Sequence, residues 1–500
     1  MNHLFSVGCS EVSLHSVVYD HFVQSRKAAG ISEAPPLAEQ RLRCLILAHG
    51  ETLTVILNAD WSEWIGSFKE KVRRLLNAEA PTRDMQLMCF ATRNHNLGAS
   101  PWQALNERDH EHYDPLFESD LLALFGQIFQ TAMLNLTPAS IAVGVGRCDT
   151  ISASCYTGQV GLSPLVNVLR FADLGGNVLA VLVHFGCRVD DIGQPLSGGY
   201  ASATCATVQK VYGAGIPILF LNSNCADMFP VILANPLSLA DCSKDEVQAR
   251  RKHIRAVEYE RIGRVLGFEV CKVLAQLETV GSDLCVGNLR WDRTVWKIAR
   301  FGIQVSSPVP TVHTVSINLS RKLAPSLGEC VATVKRLDEK IKLLEKSLPY
   351  PPRCYAPYML DPQECDTDLY RWMELRAERW FWNAETGRAK TATRLGLSRP
   401  VAGQVKILTL TDDLAIIGVP GWISQPVSDE LKRESPFTIT LVCDSMDPCT
   451  LGEIIPEAET ALGGHHASFY SYTQDSIDAM TEHVQLVLRR AHSDGNSDCR

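Results

Sequence analysis

The sequence predicts an α/β protein: a large mixed sheet covered by helices on both faces, with a helical hairpin inserted late in the chain. Three observations carry that expectation. Runs such as Val178–His184 and Ile216–Asn222 are continuously apolar, the pattern of strands buried on both faces. Between such runs lie segments with apolar residues at three- and four-residue steps, the period of amphipathic helices. Beyond Glu329, two helical patterns flank the Pro-rich stretch Pro349–Pro357.

Taken in order, Arg43–Leu47 and Thr52–Ala59 are β-rich runs joined at His49-Gly50, a hairpin signal. Trp64, Ile65, Phe68, Val72, Leu75 and Leu76 then share a helical face that Pro81 closes, and Met85–Thr92 returns as a strand. A second amphipathic helix carries Leu121, Leu122, Phe125, Ile128, Phe129 and Met133, and Pro138 ends it. Val166–Phe171, Val178–His184 and Ile216–Asn222 follow as strands, with a helix over Tyr200–Tyr212. Lys244–Glu278 has a long charged helical pattern, and Asn288–Asn318 is mostly strand-like. Val334, Leu337, Ile341, Leu344 and Leu348 form a seam of about two heptads. Its expected partner is a helix capped by Thr367 that bears Leu369, Trp372, Leu375 and Trp380. The organisation expected is a core over 1–320, the hairpin over 321–400, and a return to the core over 401–491. The last helix spans Ser476–Ala491, followed by a disordered tail, 492–500.

Composition excludes several classes of function. With a net charge of −8 there is no basic stripe of the kind nucleic-acid binding requires. No apolar stretch approaches the roughly 18 residues of a membrane span. Seventeen cysteines without a Cys-x-x-Cys pair suit a reducing compartment, so a cytoplasmic location is expected unless an upstream start hides an export signal. There is no phosphate-binding loop, no Gly-x-Ser-x-Gly elbow and no His-Glu-x-x-His. His110-Glu111-His112 reads as a solvated helix start, and His465-His466 as a surface turn.

The strand ends are more informative. Thr92-Arg93-Asn94-His95, His184-Phe185-Gly186-Cys187-Arg188 and Asn222-Ser223-Asn224-Cys225-Ala226-Asp227 are polar clusters that terminate apolar strands. In open α/β sheets ligands bind at such carboxyl ends, so these point to one pocket. Equally, Arg93 and Arg188 could be structural, paired with Asp60 and Asp227.

These segments, with Val7–Val12, Leu42–Leu47, Asn58-Ala59-Asp60 and Asp413–Gly421, make the chain resemble the neutral/alkaline, non-lysosomal ceramidases. Those are zinc-dependent amidases of ceramide, and the likeness spans nearly the whole chain. It implies the fold, but the residues that carry the family's chemistry are changed. Arg93 and Arg188 fall where the resemblance places zinc-binding histidines. Trp422 falls on the glutamate ligand, the Gly452–Pro456 segment on the tyrosine ligand, and Phe229 on the nucleophilic serine. The Asn-Arg-Arg segment of the family falls near Ala153-Ser154-Cys155 without an arginine. The C-terminal β-sandwich of the family is not expected.

A guanidinium has no lone pair to give a metal, so no zinc cofactor is expected. The leading expectation is a non-catalytic protein binding a small anionic molecule. Its ligand residues would be Arg93, His95, Arg188, Asn222, Asn224 and His465, with Asp227 orienting an arginine. The alternative is a hydrolase acting on an amide or related bond with rearranged residues, using His95, Glu453 or a thiolate at Cys187 or Cys225 activated by the arginines. A third reading is an assembly protein that docks a partner on the hairpin.

Overall fold

The computed structural model describes residues 5–18, 20–21, 39–94, 105, 113–154, 159–189, 197–231, 244–278, 303–305, 308–320, 326–347, positions scattered over 368–390, and 400–411, 413–446, 451–460 and 472–497. Its first sheet contains β1 (Ser6–Ser13), β2 (Arg41–His49), β3 (Thr52–Ala59), β4 (Asp84–Ala91), β5 (Thr137–Arg147), β7 (Leu165–Asp173), β8 (Val178–Gly186) and β9 (Ile218–Ser223). The order is β4-β3-β2-β1-β5-β7-β8-β9, and β11 (Ile303–Val305) pairs with β5. The sheet is mixed: β3–β4 and β8–β9 are parallel and the other neighbours antiparallel. A two-stranded piece pairs β6 (Ser152–Ser154) with β10 (Met228–Pro230).

A second sheet contains β12 (Thr311–Leu319), β13 (Val401–Thr411), β14 (Leu414–Gly418) and β16 (Ile439–Cys443), and β15 (Trp422–Ile423) runs parallel with β17 (Glu453–Ile454). The two larger sheets pack face to face. Leu45, Leu47, Ile56, Phe171, Leu182 and Leu219 of the first share a core with Leu408, Ile416 and Leu441 of the second. The outer face of the first sheet is covered by the helices Gly66–Glu79 and Pro115–Leu134 at one end and Gly199–Tyr212 and Lys244–Glu278 at the other. The outer face of the second carries Gln425–Arg433 and Gln474–Ser497. Helices therefore lie on both sides of the stack, and between them are two sheets. The apolar strands are buried on both faces because each sheet has one helical and one sheet neighbour.

Two expectations change. Pro138 does not merely end a helix: it lies in β5, at the end that pairs with Ser6. Gly144 and Gly146 weaken the strand pattern of β5, but they are there for contact. A Cβ at Gly144 would lie 2.5 Å from Val273 Cγ1, and one at Gly146 2.4 Å from Glu269 Oε1, both on the long helix. The last helix also runs to Ser497, past the expected end at Ala491, so 492–497 is not a disordered tail. His492 packs edge-on to Phe437 at 5.2 Å, which anchors the extension.

In the inserted region the helix Leu327–Glu345 begins with a capping box between Ser326 and Glu329. Trp372 Nε1 donates to Glu345 at 3.1 Å, and Arg379 is paired with Asp338. Thr367, Leu369, Trp380 and the linker 349–357 lie outside the described residues, as do 110–112 and 465–466. Among the described residues no helix is long and apolar enough to cross a membrane.

Candidate functional site

Three strand ends converge at one edge of the stack. The Ala91 amide donates to the Ser445 carbonyl at 3.1 Å, and the Asp444 amide to the Asn222 carbonyl at 2.9 Å. The ends of β4, β9 and β16 are thereby tied together. Each of these ends has a non-glycine residue in the left-handed region: Arg93 (φ 55°), Asn224 (φ 55°) and Ser445 (φ 56°). That conformation is costly for residues other than glycine or asparagine, and its clustering here marks a site-like region.

Arg93 is at the centre, buried and held on three sides. Nη2 donates to Glu453 Oε1 at 2.8 Å, Nη1 donates to the Cys225 carbonyl, and the guanidinium lies 4.0 Å from the centroid of the Trp422 ring. Trp422 and Glu453 are register partners in the β15–β17 pair. The pair can close because residue 421 is glycine; a Cβ there would meet the Gly452 carbonyl oxygen at 2.6 Å. Trp422 Nε1 donates to Ser445 Oγ at 2.9 Å, which fixes the ring. Neither Asp60 nor Asp227 pairs with Arg93. Asp60 instead accepts from Arg43 (3.0 Å), Ser202 (2.7 Å) and the Arg41 amide (3.0 Å).

Arg188 is half-buried, with its guanidinium 4.4 Å from the centroid of the Phe229 ring and its amide donating to the Met228 carbonyl at 3.1 Å. Phe229 pairs with Ala153 in the β6–β10 ladder. The positions singled out by the resemblance therefore fall into two groups: Arg93, Trp422 and Glu453, and Arg188, Phe229 and Ala153.

The expected ligand donors fare differently. Asn222 is fully buried and donates to the Thr92 carbonyl at 2.7 Å. Asn224 donates to Ser163 Oγ at 2.8 Å and accepts from Ser223 Oγ at 2.8 Å. Both side chains are buried, so neither forms a rim. Asp227 accepts from the Gln425 amide at 2.9 Å, at the start of the helix Gln425–Arg433, rather than orienting Arg93. Burial, then the nearby Glu459, pushes its carboxyl well above the usual range. His95 and His465 lie outside the described residues.

At Cys225 burial disfavours the thiolate expected beside the arginines. Burial, then Asp444, pushes the Cys225 thiol well up, and this outweighs the pull of Arg93. Its Sγ donates to the Ser223 carbonyl at 3.7 Å, and Cys187, also buried, donates to the Arg188 carbonyl at 3.6 Å.

Two acids missed by the sequence reading belong here. Asp444 accepts from the Cys225 amide at 2.6 Å and the Ile423 amide at 3.3 Å. Burial raises its pKa to about 7 against the opposing pull of these amides and of Arg93. Glu63, after β3, is raised by burial and lowered by Arg93. Asp444 had a signal: it ends the apolar run Ile439–Cys443 as the other polar clusters end theirs. Among the described residues no three His, Cys, Asp or Glu side chains gather as a metal-binding group.

No family profile and no curated protein matches the sequence. Solved structures do. The crystal structure of neutral ceramidase from Pseudomonas aeruginosa superposes with a TM-score of 0.60 at 11% identity, covering 99% of this chain and 75% of that one. A ceramidase complexed with C2 superposes with a TM-score of 0.58 at 11% identity, over 97% and 74% of the two chains. From β1 through the last helix, this chain has the fold of the neutral ceramidases.

Proposed function

We propose that this protein is a non-catalytic member of the ceramidase fold that binds a small anion at Arg188. The donor set does not fit zinc. Arg93 and Arg188 have no lone pair to offer, Trp422 has none, and the Glu453 carboxylate already accepts from Arg93. Phe229 offers no nucleophile, and Cys225 is held as a neutral thiol. These features also count against the hydrolase alternative.

The observation that carries the anion reading is the setting of Arg188. Arg93 is enclosed on three sides, whereas Arg188 is half-buried and lies over Phe229, which steadies the planar group. A guanidinium so placed at the carboxyl ends of β8 and β9 suits a carboxylate or phosphate.

The test has two arms. Protein purified without chelators or added metal should contain no stoichiometric zinc by mass spectrometry and should leave a fluorescent short-chain ceramide uncleaved. Inorganic phosphate or octanoate should raise the melting temperature of the wild type, and Arg188→Met should abolish the shift while remaining folded. One zinc per chain with amide cleavage would overturn the non-catalytic reading. An undiminished shift in the Arg188→Met variant would overturn the anion site.

A further inference from the structure

Several strand edges are covered within the chain. On β4, Lys406 Nζ donates to the Leu87 carbonyl and the Ala91 amide to the Ser445 carbonyl. On β9, the Asn58 side chain stands in for a strand. Its Nδ2 donates to the Phe220 carbonyl at 2.9 Å, and its Oδ1 accepts from the Phe220 amide at 3.0 Å. β9 and β16 meet where the Asp444 amide donates to the Asn222 carbonyl. β12 is different. It ends the order β12-β13-β14-β16, and among the described residues no strand pairs with its outer side. Every residue of Thr311–Leu319 pairs with β13 without a bulge, so this edge is long and regular. It also carries none of the usual deterrents to pairing, having no proline, lysine, arginine or acid.

We propose that β12 is the interface of a two-fold dimer, pairing antiparallel with β12 of a second copy of this chain. The two four-stranded sheets then join into one. The strand is compatible with itself. Centred on Val315, the pairing sets Thr314 against Ser316 of the partner subunit, and Val315 against the partner's Val315. This register keeps each face intact, with exposed Thr314, Ser316 and Asn318 on one side and buried Val315, Ile317 and Leu319 on the other. A strand without charged residues also meets its own copy without like-charge repulsion. The ladder alone falls short of the roughly 1,000 Å2 that a stable interface buries. The helix Gln474–Ser497 supplies the rest. Its Ile477, Met480 and Val484 share a core with Val315, Ile317 and Leu319, and Gln485 Nε2 donates to the Glu430 carbonyl of the neighbouring helix at 3.3 Å. On the flank opposite Gln485 lie Ala479 and His483, both exposed, and half-buried Val487. The two-fold axis brings this flank against its counterpart. The dimer does not depend on an anion at Arg188, and the two readings fail separately.

The test is the oligomeric state and its dependence on this edge. Sedimentation of the wild type between about 1 and 100 µM should show monomer giving way to dimer. Thr314→Lys combined with Ser316→Lys sets lysines against lysines across the two-fold axis, on side chains already exposed. That variant should be a folded monomer at every concentration. Hydrogen exchange gives a second readout, because every second amide of β12 faces away from β13. The β12 peptide should therefore exchange more slowly at about 100 µM than at about 1 µM. Should the double variant fail to fold, Ser316→Lys alone should raise the dimer dissociation constant by about tenfold or more. A wild type that is monomeric at about 100 µM overturns the inference. So does a folded lysine variant that dimerises as the wild type does, or a dimer whose β12 exchange ignores concentration.

Discussion

Arg93 and Glu453 are 360 positions apart in the chain, yet Nη2 of one lies 2.8 Å from the carboxylate of the other. Their side chains are only 5% and 3% exposed, so water screens the pair little. Removing one partner leaves a buried charge behind, and Glu453→Gln should cost about 3–5 kcal/mol in urea unfolding. The double change Arg93→Met with Glu453→Met removes both charges and should recover part of that loss. A Glu453→Gln variant as stable as the wild type would mean that the pair is solvated.

Acid sensitivity should follow His184. Its Nε2 donates to the Val442 carbonyl at 2.9 Å, joining the two sheets, and Nδ1 accepts from Asn167 at 3.0 Å. Burial, then the nearby Lys432, depresses its pKa from 6.5 to about 3, so the folded protein holds it neutral. Below pH 6.5 the unfolded chain takes up a proton that the folded one refuses. Stability from this group is therefore complete above pH 6.5 and falls towards pH 3, by up to about 1.4 kcal/mol per pH unit. Asp444, raised to about 7, acts in the opposite sense: its contribution falls as pH rises from its unfolded value towards 7. Denaturant titrations across this range should show a shallower acid limb in His184→Gln than in the wild type.

The thiols at the site should be inert. With the Cys225 and Cys443 thiols pushed well up by burial, iodoacetamide at mildly alkaline pH should leave both unlabelled in the native protein and label both in urea. Rapid native labelling of Cys225, read by peptide mass spectrometry, would restore it as a candidate nucleophile.

Gly144→Ala should destabilise by about 1–3 kcal/mol through overpacking. The new methyl would lie 2.5 Å from Cγ1 of Val273, which is buried and β-branched and has no room to turn away. A neutral result in thermal melts would show that the long helix can shift off β5.

Elements with a strong period were legible. The pattern over Lys244–Glu278 corresponds to a helix with those bounds, and Thr52–Ala59 to a strand with those bounds. β5 was not legible, because Pro138, Gly144 and Gly146 thin its apolar pattern, and the reason for the two glycines lies in a helix more than 120 residues away. The convergence of the strand ends could be read from their polar clusters, but the partners of Arg93 could not. No local rule couples β4 to β17, and the two acids proposed at first, Asp60 and Asp227, were nearer in sequence but already engaged elsewhere. The resemblance singled out Trp422 and the segment containing Glu453, and only the folded chain shows them stacked on and paired with Arg93.

The face-to-face sheets impose an order on synthesis. Leu45, Leu47, Phe171 and Leu182 leave the ribosome long before Leu408, Ile416 and Leu441, which finally cover them. Glu453 trails Arg93 by 360 residues, a delay of about 20–70 s at ordinary elongation rates. Through that interval the nascent chain holds a broad oily surface and an unneutralised arginine. Yield in a fast-translating host should therefore depend on holdase chaperones and improve when elongation and temperature are lowered together.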